Sequence, residues 1–278
     1  MPQMQTLINA KRQYHRIYLP LQTNNFPNMN KSIIAFALLL SSGVHSFAQS
    51  ADEVIIKHIE AMGGEKALSQ VKTMKMSGSI NAQGMEFPTS QTMVDNQGMR
   101  MDFSVMGMDC YVIVTQKEGW MYIPVQPGMD KVTAMPGEQL KQAQSKLNIR
   151  NMWLTDRSMI KKAELDGKDT INSIPCVRLK VTDKAGFEQI AYFDESTYYL
   201  IRTEMNVQAG EESRDISVTF SNFETQPDGI VIPMKRSDPM MGGEVVYKTV
   251  EINKAVPETI FKPDAPSKGN EGSGKAKQ

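Results

Sequence analysis

From Ile190 to Pro263 the chain alternates apolar and polar residues at period two, one short run after another, with acidic, Gly and Pro turns between them. That alternation marks strands with one buried face. The runs are 189–194, 199–205, 216–223, 230–234 and 245–253, with a turn at Pro227-Asp228-Gly229. The same pattern predicts strands over 71–81, 85–95, 98–108, 110–116 and 119–123, and again over 162–170 and 174–182. Pro88 assigns the 85–95 strand to an edge or a bulge, because proline donates no ladder hydrogen bond.

Helical spacing occurs in two places. Ser50 to Glu53 is a capping box, Ile55, Ile59 and Met62 form an apolar stripe, and Gly63-Gly64 stops the helix. A short turn over 65–70 leads into the sheet. Pro136-Gly137-Glu138 opens a second helical stretch in which Leu140, Ala143 and Leu147 share a face, running to Met152 and Trp153. Another turn covers 156–160. The chain therefore reads as mainly β with a few helices, in one domain over 49–263. A long antiparallel meander of this kind more often frames a cavity than a catalytic cluster. Residues 264–278, rich in Gly, Lys, Ser and Asn, read as a disordered tail.

The N-terminal segment has a different character. Met29-Asn30-Lys31 precedes the apolar run Ile33 to Leu40, and Ser46-Phe47-Ala48 supplies the small residues of a cleavage site. Residues 29–48 thus read as a secretory signal peptide, with 1–28 as an upstream extension and translation expected from Met29. The apolar run is too short for a stable membrane span. No cysteine follows it to carry a lipid, so a soluble periplasmic protein beginning near Gln49 is expected.

Charge narrows the partners. Residues 1–48 hold four basic side chains and no acid, so the rest of this neutral chain carries a net charge of −4. An acidic domain does not match nucleic acid, whose binding needs a basic face. No basic run suits an anionic membrane surface.

The order of elements resembles the outer-membrane lipoprotein-sorting family, the LolA/LolB-like superfamily. The residues that carry the resemblance are Tyr192-Phe193-Asp194 leading through Thr197 to Leu200-Ile201-Arg202, then Asp228-Gly229 leading to Ile232-Pro233, and the ending Ile252-Asn253 with Phe261-Lys262-Pro263. The resemblance covers most of 50–263. It implies an unclosed antiparallel β-barrel, or half-barrel, with an N-terminal helix and an inserted helical lid on the concave face. It implies as partner an apolar ligand, a lipid or the acyl chains of a lipoprotein, with an envelope protein as a further partner. An envelope adaptor using the same fold is the second reading.

Candidate lining residues follow from the strand faces. Met99, Met101 and Phe103 share a face, as do Tyr199, Ile201 and Met205, with Phe220 on a neighbouring strand. Trp120 and Trp153 suit the mouth of an apolar cavity, since each combines a large apolar body with a polar handle. Leu140, Ala143 and Leu147 would form the lid. Unbranched thioethers adapt to varied apolar shapes. The pairs Met74/Met76, Met99/Met101 and Met106/Met108 also raise copper as a minor alternative, because soft sulfur favours Cu(I).

Chemistry is otherwise sparse. After residue 48 the only histidine is His58, set beside the apolar stripe of the first helix and expected to be a packed or surface residue. No nucleophile elbow, metal-spaced His/Cys set or phosphate-cradling Gly loop occurs. The expectation is a non-enzyme with no cofactor and no metal site. Export would permit a disulfide between Cys110 and Cys176 if their strands bring them together, with two free thiols as the first expectation and Cys176 on the polar face beside Arg178 and Lys180.

Overall fold

The computed structural model describes residues 49–209 and 212–264; the expected signal peptide and upstream extension, and positions 265–278, lie outside them. Thirteen strands form one antiparallel sheet. The first meander comprises β1 (Thr73–Ala82), β2 (Met85–Val94), β3 (Gly98–Val105), β4 (Met108–Thr115), β5 (Gly119–Tyr122) and β6 (Thr133–Ala134). The second comprises β7 (Ile160–Ile171), β8 (Ile174–Asp183), β9 (Glu188–Asp194), β10 (Leu200–Ala209), β11 (Glu212–Thr225), β12 (Val231–Asp238) and β13 (Gly243–Ile252). Each strand pairs with its neighbours in sequence, and the two meanders join where β1 meets β13. β6 and β7 end the sheet without pairing to each other, so it remains an open half-barrel. The β7 edge carries Lys161, Lys162, Glu164, Asp166, Lys168 and Asp169 and two register breaks, devices that discourage pairing with another chain.

Among the described residues three α-helices accompany the sheet: α1 (Ala51–Ala61), α2 (Gly64–Leu68) and α3 (Gly137–Gln144). The Ser50 hydroxyl accepts from the Glu53 amide at 3.1 Å and starts α1. Val54, Ile55 and Ile59 of α1 and its C-cap Met62 are buried against the inner face of the sheet, among Met74, Met76, Leu179, Phe193 and Ile232. Full burial of each such side chain stabilises the fold by about 1.5–3 kcal/mol. Gly63 ends α1 at φ 117°, and a Cβ there would lie 2.7 Å from the Gly229 carbonyl. The bare backbone lets the β11–β12 turn close against the helix, where the Val231 amide donates to the Met62 carbonyl at 3.0 Å.

Several sequence expectations need correction. β2 is an interior strand rather than an edge. Pro88 is tolerated because the β2–β3 ladder ends at Thr89↔Phe103, one residue before it, leaving Pro88 paired only with β1 at Ser79. The helical stretch from 136 to 153 is broken. α3 stops at Gln144, and a separate 3-10 turn over Ile149–Trp153 begins at Asn148, whose side chain accepts from the Asn151 amide. β12 continues to Asp238, beyond the apolar run that ended at Met234. Asp264, assigned by composition to the tail, is held by Arg100 on the outer face.

The outer face has a small apolar cluster of its own: Ile171, Cys176, Tyr192 and Ile201 are buried there, flanked by Ile190, Tyr199 and Phe223. Cys176 is on Arg178's face, as alternation requires, but fully covered. Cys110 and Cys176 are both buried free thiols.

Candidate ligand-binding face

The inner face divides into a filled part and a covered part. The filled part is the α1–α2 plug together with the segment that follows α3. His58 is fully buried, with Nδ1 2.8 Å from the Tyr198 carbonyl and Nε2 2.7 Å from the Trp153 carbonyl. Arg150 bridges Glu65 at 2.6 Å and Asp156 at 2.8 Å, and Arg157 pairs with Asp52. Burial pushes the Asp156 pKa up, but bonds from Ser158 and Asn148 and the Arg150 charge outweigh it and leave the pKa lowered. These ties cross-link both early helices to residues 148–157.

The covered part lies under α3. Register places Met99 opposite Val114, and Val112 opposite both Met101 and Met121, on one face of β3–β5. Val114, Met121, Met135 and Leu147 are buried there, with Met99, Val112, Met129, Leu140 and Ala143 packed around them. Four of these nine side chains are methionine, the side chain best able to repack around a foreign apolar surface. α3 itself contributes no buried residue, and its N-terminus lacks a side-chain cap. It rests where β5 has no side chain: a Cβ on Gly119 would fall 2.9 Å from Leu140 Cδ1 and 3.1 Å from Met135 Cβ. Gln144 donates to the Thr115 carbonyl at 3.0 Å. Beyond it the cover is anchored: the Asn96 amide donates to the Leu147 carbonyl, and the Ile149 amide to Asp95.

The predicted lining residues scatter. Met99 borders the covered cluster, and its sulfur accepts from Gln91 at 3.1 Å. Met101 is buried on the same face, and Phe103, half-buried, packs at the margin of the main core. Leu140, Ala143 and Leu147 all meet the covered cluster. Trp153 and Phe220 are packed in the main core, not at a mouth. Trp120 faces outward, because its strand neighbour Met121 takes the inner face. Tyr199 and Ile201 do not share a face with Met205. A bulge between Leu200 and Arg202 resets the alternation, putting Ile201 in the outer cluster and stacking Tyr199 on Phe223 at 4.4 Å. Met205 stays on the inner side, paired with Ile216. The methionine pairs also separate: Met74 and Met76 are core residues, while Met106 is 76% exposed at a hairpin tip.

A polar group on the inner face was missed. Arg236 and Asp238 extend the period of Ile232 and Met234 along β12, and their side chains stand 3.6 Å apart. Arg236 lies opposite Val245 and Phe220, both core residues, and Tyr247 follows on β13. The period-two signal was present, but the charges hid its continuation past Met234.

Two open depressions, of about 630 and 540 Å³, are lined mainly by outer-face groups such as Arg100, Asp102 and Tyr111, or Lys180, Arg202 and Glu204. Their arginines are already paired, Arg100 with Asp102 and Asp264, and Arg202 with Glu204. Among the described residues, no helix is long and apolar enough to cross a membrane.

No family model and no curated protein matches the chain. Among solved structures it is similar to a DUF1329 family protein from Desulfovibrio piger, at 13% identity and a TM-score of 0.50, over 76% of this chain and 97% of the other. It is also similar to a LolA superfamily protein from Nitrosomonas europaea, at 13% identity and a TM-score of 0.48, over 78% of this chain and 99% of the other. A putative outer membrane lipoprotein-sorting protein domain from Vibrio parahaemolyticus matches at 13% identity and a TM-score of 0.43, over 75% and 97%. The first likeness is one of fold. The architecture that the sequence motifs implied, an open antiparallel half-barrel with an N-terminal helix and an inserted helix on its inner face, is the one this chain adopts.

Proposed function

We propose that this protein is an exported, non-catalytic carrier for an apolar ligand, a lipid or lipoprotein acyl chain, acting in the bacterial periplasm after signal cleavage near Ala48. The observation that carries this reading is the methionine-lined cluster beneath α3, covered by an eight-residue helix that buries none of its own residues. A cover of that kind opens at less cost than the sheet, since local stability follows buried apolar contact. The plug of α1 and α2 leaves no comparable freedom, so ligand entry is assigned to the β3–β5 side.

The test is to purify the exported protein, extract it for bound lipid, and titrate the extracted form with an environment-sensitive apolar dye. Recovered lipid, and dye binding that Met121→Glu abolishes while the circular dichroism is kept, are expected. Protein that carries no lipid and binds no dye would overturn the reading.

A further inference from the structure

The polar group on the inner face has a composition that a purely apolar ligand does not require. Tyr247 is 5% exposed, and its hydroxyl has no hydrogen-bond partner. The Nε of Arg236 is likewise buried and without a partner. Burying a phenol and a guanidinium nitrogen away from water is unfavourable unless something accepts from them. Asp238 occupies another nitrogen of Arg236, at 3.6 Å, and leaves Nε untouched.

A second cation points to the same place. Lys146 lies two residues past α3, next to Leu147 of the covered cluster, and the charges of Arg236 and Asp238 both act on it. Lys146 is exposed, and Asp238 and Arg236 act on its charge in opposite senses. Tyr247 is coupled to the same two groups. The geometry therefore presents two buried, unpartnered hydrogen-bond donors, Tyr247 Oη and Arg236 Nε, with the exposed Lys146 beside them: a vacancy for acceptor oxygens in a net positive setting. Register sets Phe87 in line with Arg236 through Ile80 and Val245, and Phe103 in line with Tyr247 through Thr89 and Gly78, both only partly buried at the margin of the core.

Resting on the carrier reading above, we infer that the ligand is an amphiphile with a monoanionic headgroup, its carboxylate or phosphodiester oxygens received by Tyr247, Arg236 and Lys146 while its acyl chain enters beneath α3. Lys146 belongs to the segment that follows the cover, so headgroup binding would draw that segment toward β12 and β13 and close the helix over the chain. A fatty acid and an anionic phospholipid share this chemistry.

The experiment compares palmitate, 1-hexadecanol, phosphatidylglycerol and inorganic phosphate as competitors of the apolar dye, on the full chain and on Tyr247→Phe and Lys146→Gln. Palmitate or phosphatidylglycerol should bind more tightly than hexadecanol. Each substitution should weaken the preferred anion by roughly tenfold, the weight of one hydrogen bond to a charged group, and leave hexadecanol unchanged. Whichever of the two anions loses more identifies the headgroup. Tyr247→Phe should not lower the thermal midpoint, because the hydroxyl it removes has no partner in the protein; a lowered midpoint would overturn the vacancy argument. Equal binding of palmitate, phosphatidylglycerol and hexadecanol, unaffected by either substitution, would overturn the headgroup site and leave the carrier reading intact. Failure of every chain-bearing ligand would overturn both. Competition by inorganic phosphate at millimolar concentration, without competition by palmitate or phosphatidylglycerol, would make this a free-anion site and overturn the inference.

Discussion

The Nε2 atom of His58 lies 2.7 Å from the main-chain oxygen of Trp153, joining the first helix to the 3-10 turn nearly a hundred residues later. Nδ1 meets a second carbonyl, that of Tyr198, at 2.8 Å, and the ring packs edge-on to Phe193 at 5.0 Å. A neutral imidazole has one N–H for these two acceptors. The residue that looked like a bland helical histidine is the pin that fixes the plug to the sheet.

The first prediction concerns this pin. Burial lowers the His58 pKa below its ordinary 6.5, the two carbonyls pulling weakly the other way. The unfolded chain then takes up a proton that the folded chain refuses, so stability should fall as pH drops below about 6.5. Urea midpoints measured between neutral and mildly acid pH should show this slope. His58→Leu should lose the His58 part of it and cost about 1–3 kcal/mol at neutral pH, since the buried carbonyl that accepts from the imidazole loses its donor. A variant with unchanged slope would refute the assignment.

The cover is tested by adding a side chain beneath it. Gly119→Val would drive into Leu140 and the Met135 Cβ. Hydrogen exchange over 137–147 should accelerate while β1 and β13 keep their protection, and dye affinity should change. Even in the wild type, α3 should exchange faster than those strands. Uniform protection across the cover and the sheet would make α3 a fixed part of the fold.

Two phenylalanines should separate core from margin. Phe193 is fully buried beside α1, and Phe193→Ala should cost about 3–5 kcal/mol through lost burial and a void. Phe103 is only half-buried, and Phe103→Ala should cost clearly less. Denaturant unfolding of both variants decides this; equal losses would place Phe103 in the packed core.

On the outer face, Tyr192 donates to Glu204 at 2.8 Å, and its ring lies between the guanidiniums of Arg178 and Arg202. Burial, together with the bond to Glu204 and its charge, pushes the phenol up from 10 to about 12. The unfolded chain would lose that proton near 10, so stability should decline as pH rises through this window. Burial also raises the phenols of Tyr111 and Tyr247, so tyrosinate absorbance should show one late-titrating phenol fewer in Tyr192→Phe, and an earlier titration of that phenol in Glu204→Gln. No change in Glu204→Gln would show that burial alone sets the shift.

The strands were legible in the sequence because period-two alternation is a local property: each residue's face follows from its neighbours. The order of weak motifs was enough to imply the open half-barrel and its inserted helix. The alternation misleads where backbone irregularity resets it. The bulge after Leu200 moved Tyr199 and Ile201 to the outer face, and no residue type there announces a bulge. Pro88 was misjudged for a related reason, since only the register shows that the β3 ladder ends one residue short of it. Nor could the sequence reveal what fills the inner face, because His58, Trp153 and Tyr198 meet only when three distant segments are folded together. The same holds for Lys146, Arg236 and Tyr247: each is unremarkable along the chain, and their shared electrostatics arise from strand pairing and from where the cover segment crosses the sheet. Local patterning determined which residues are strands and helices, whereas the half-barrel's curvature decided which of them stand together.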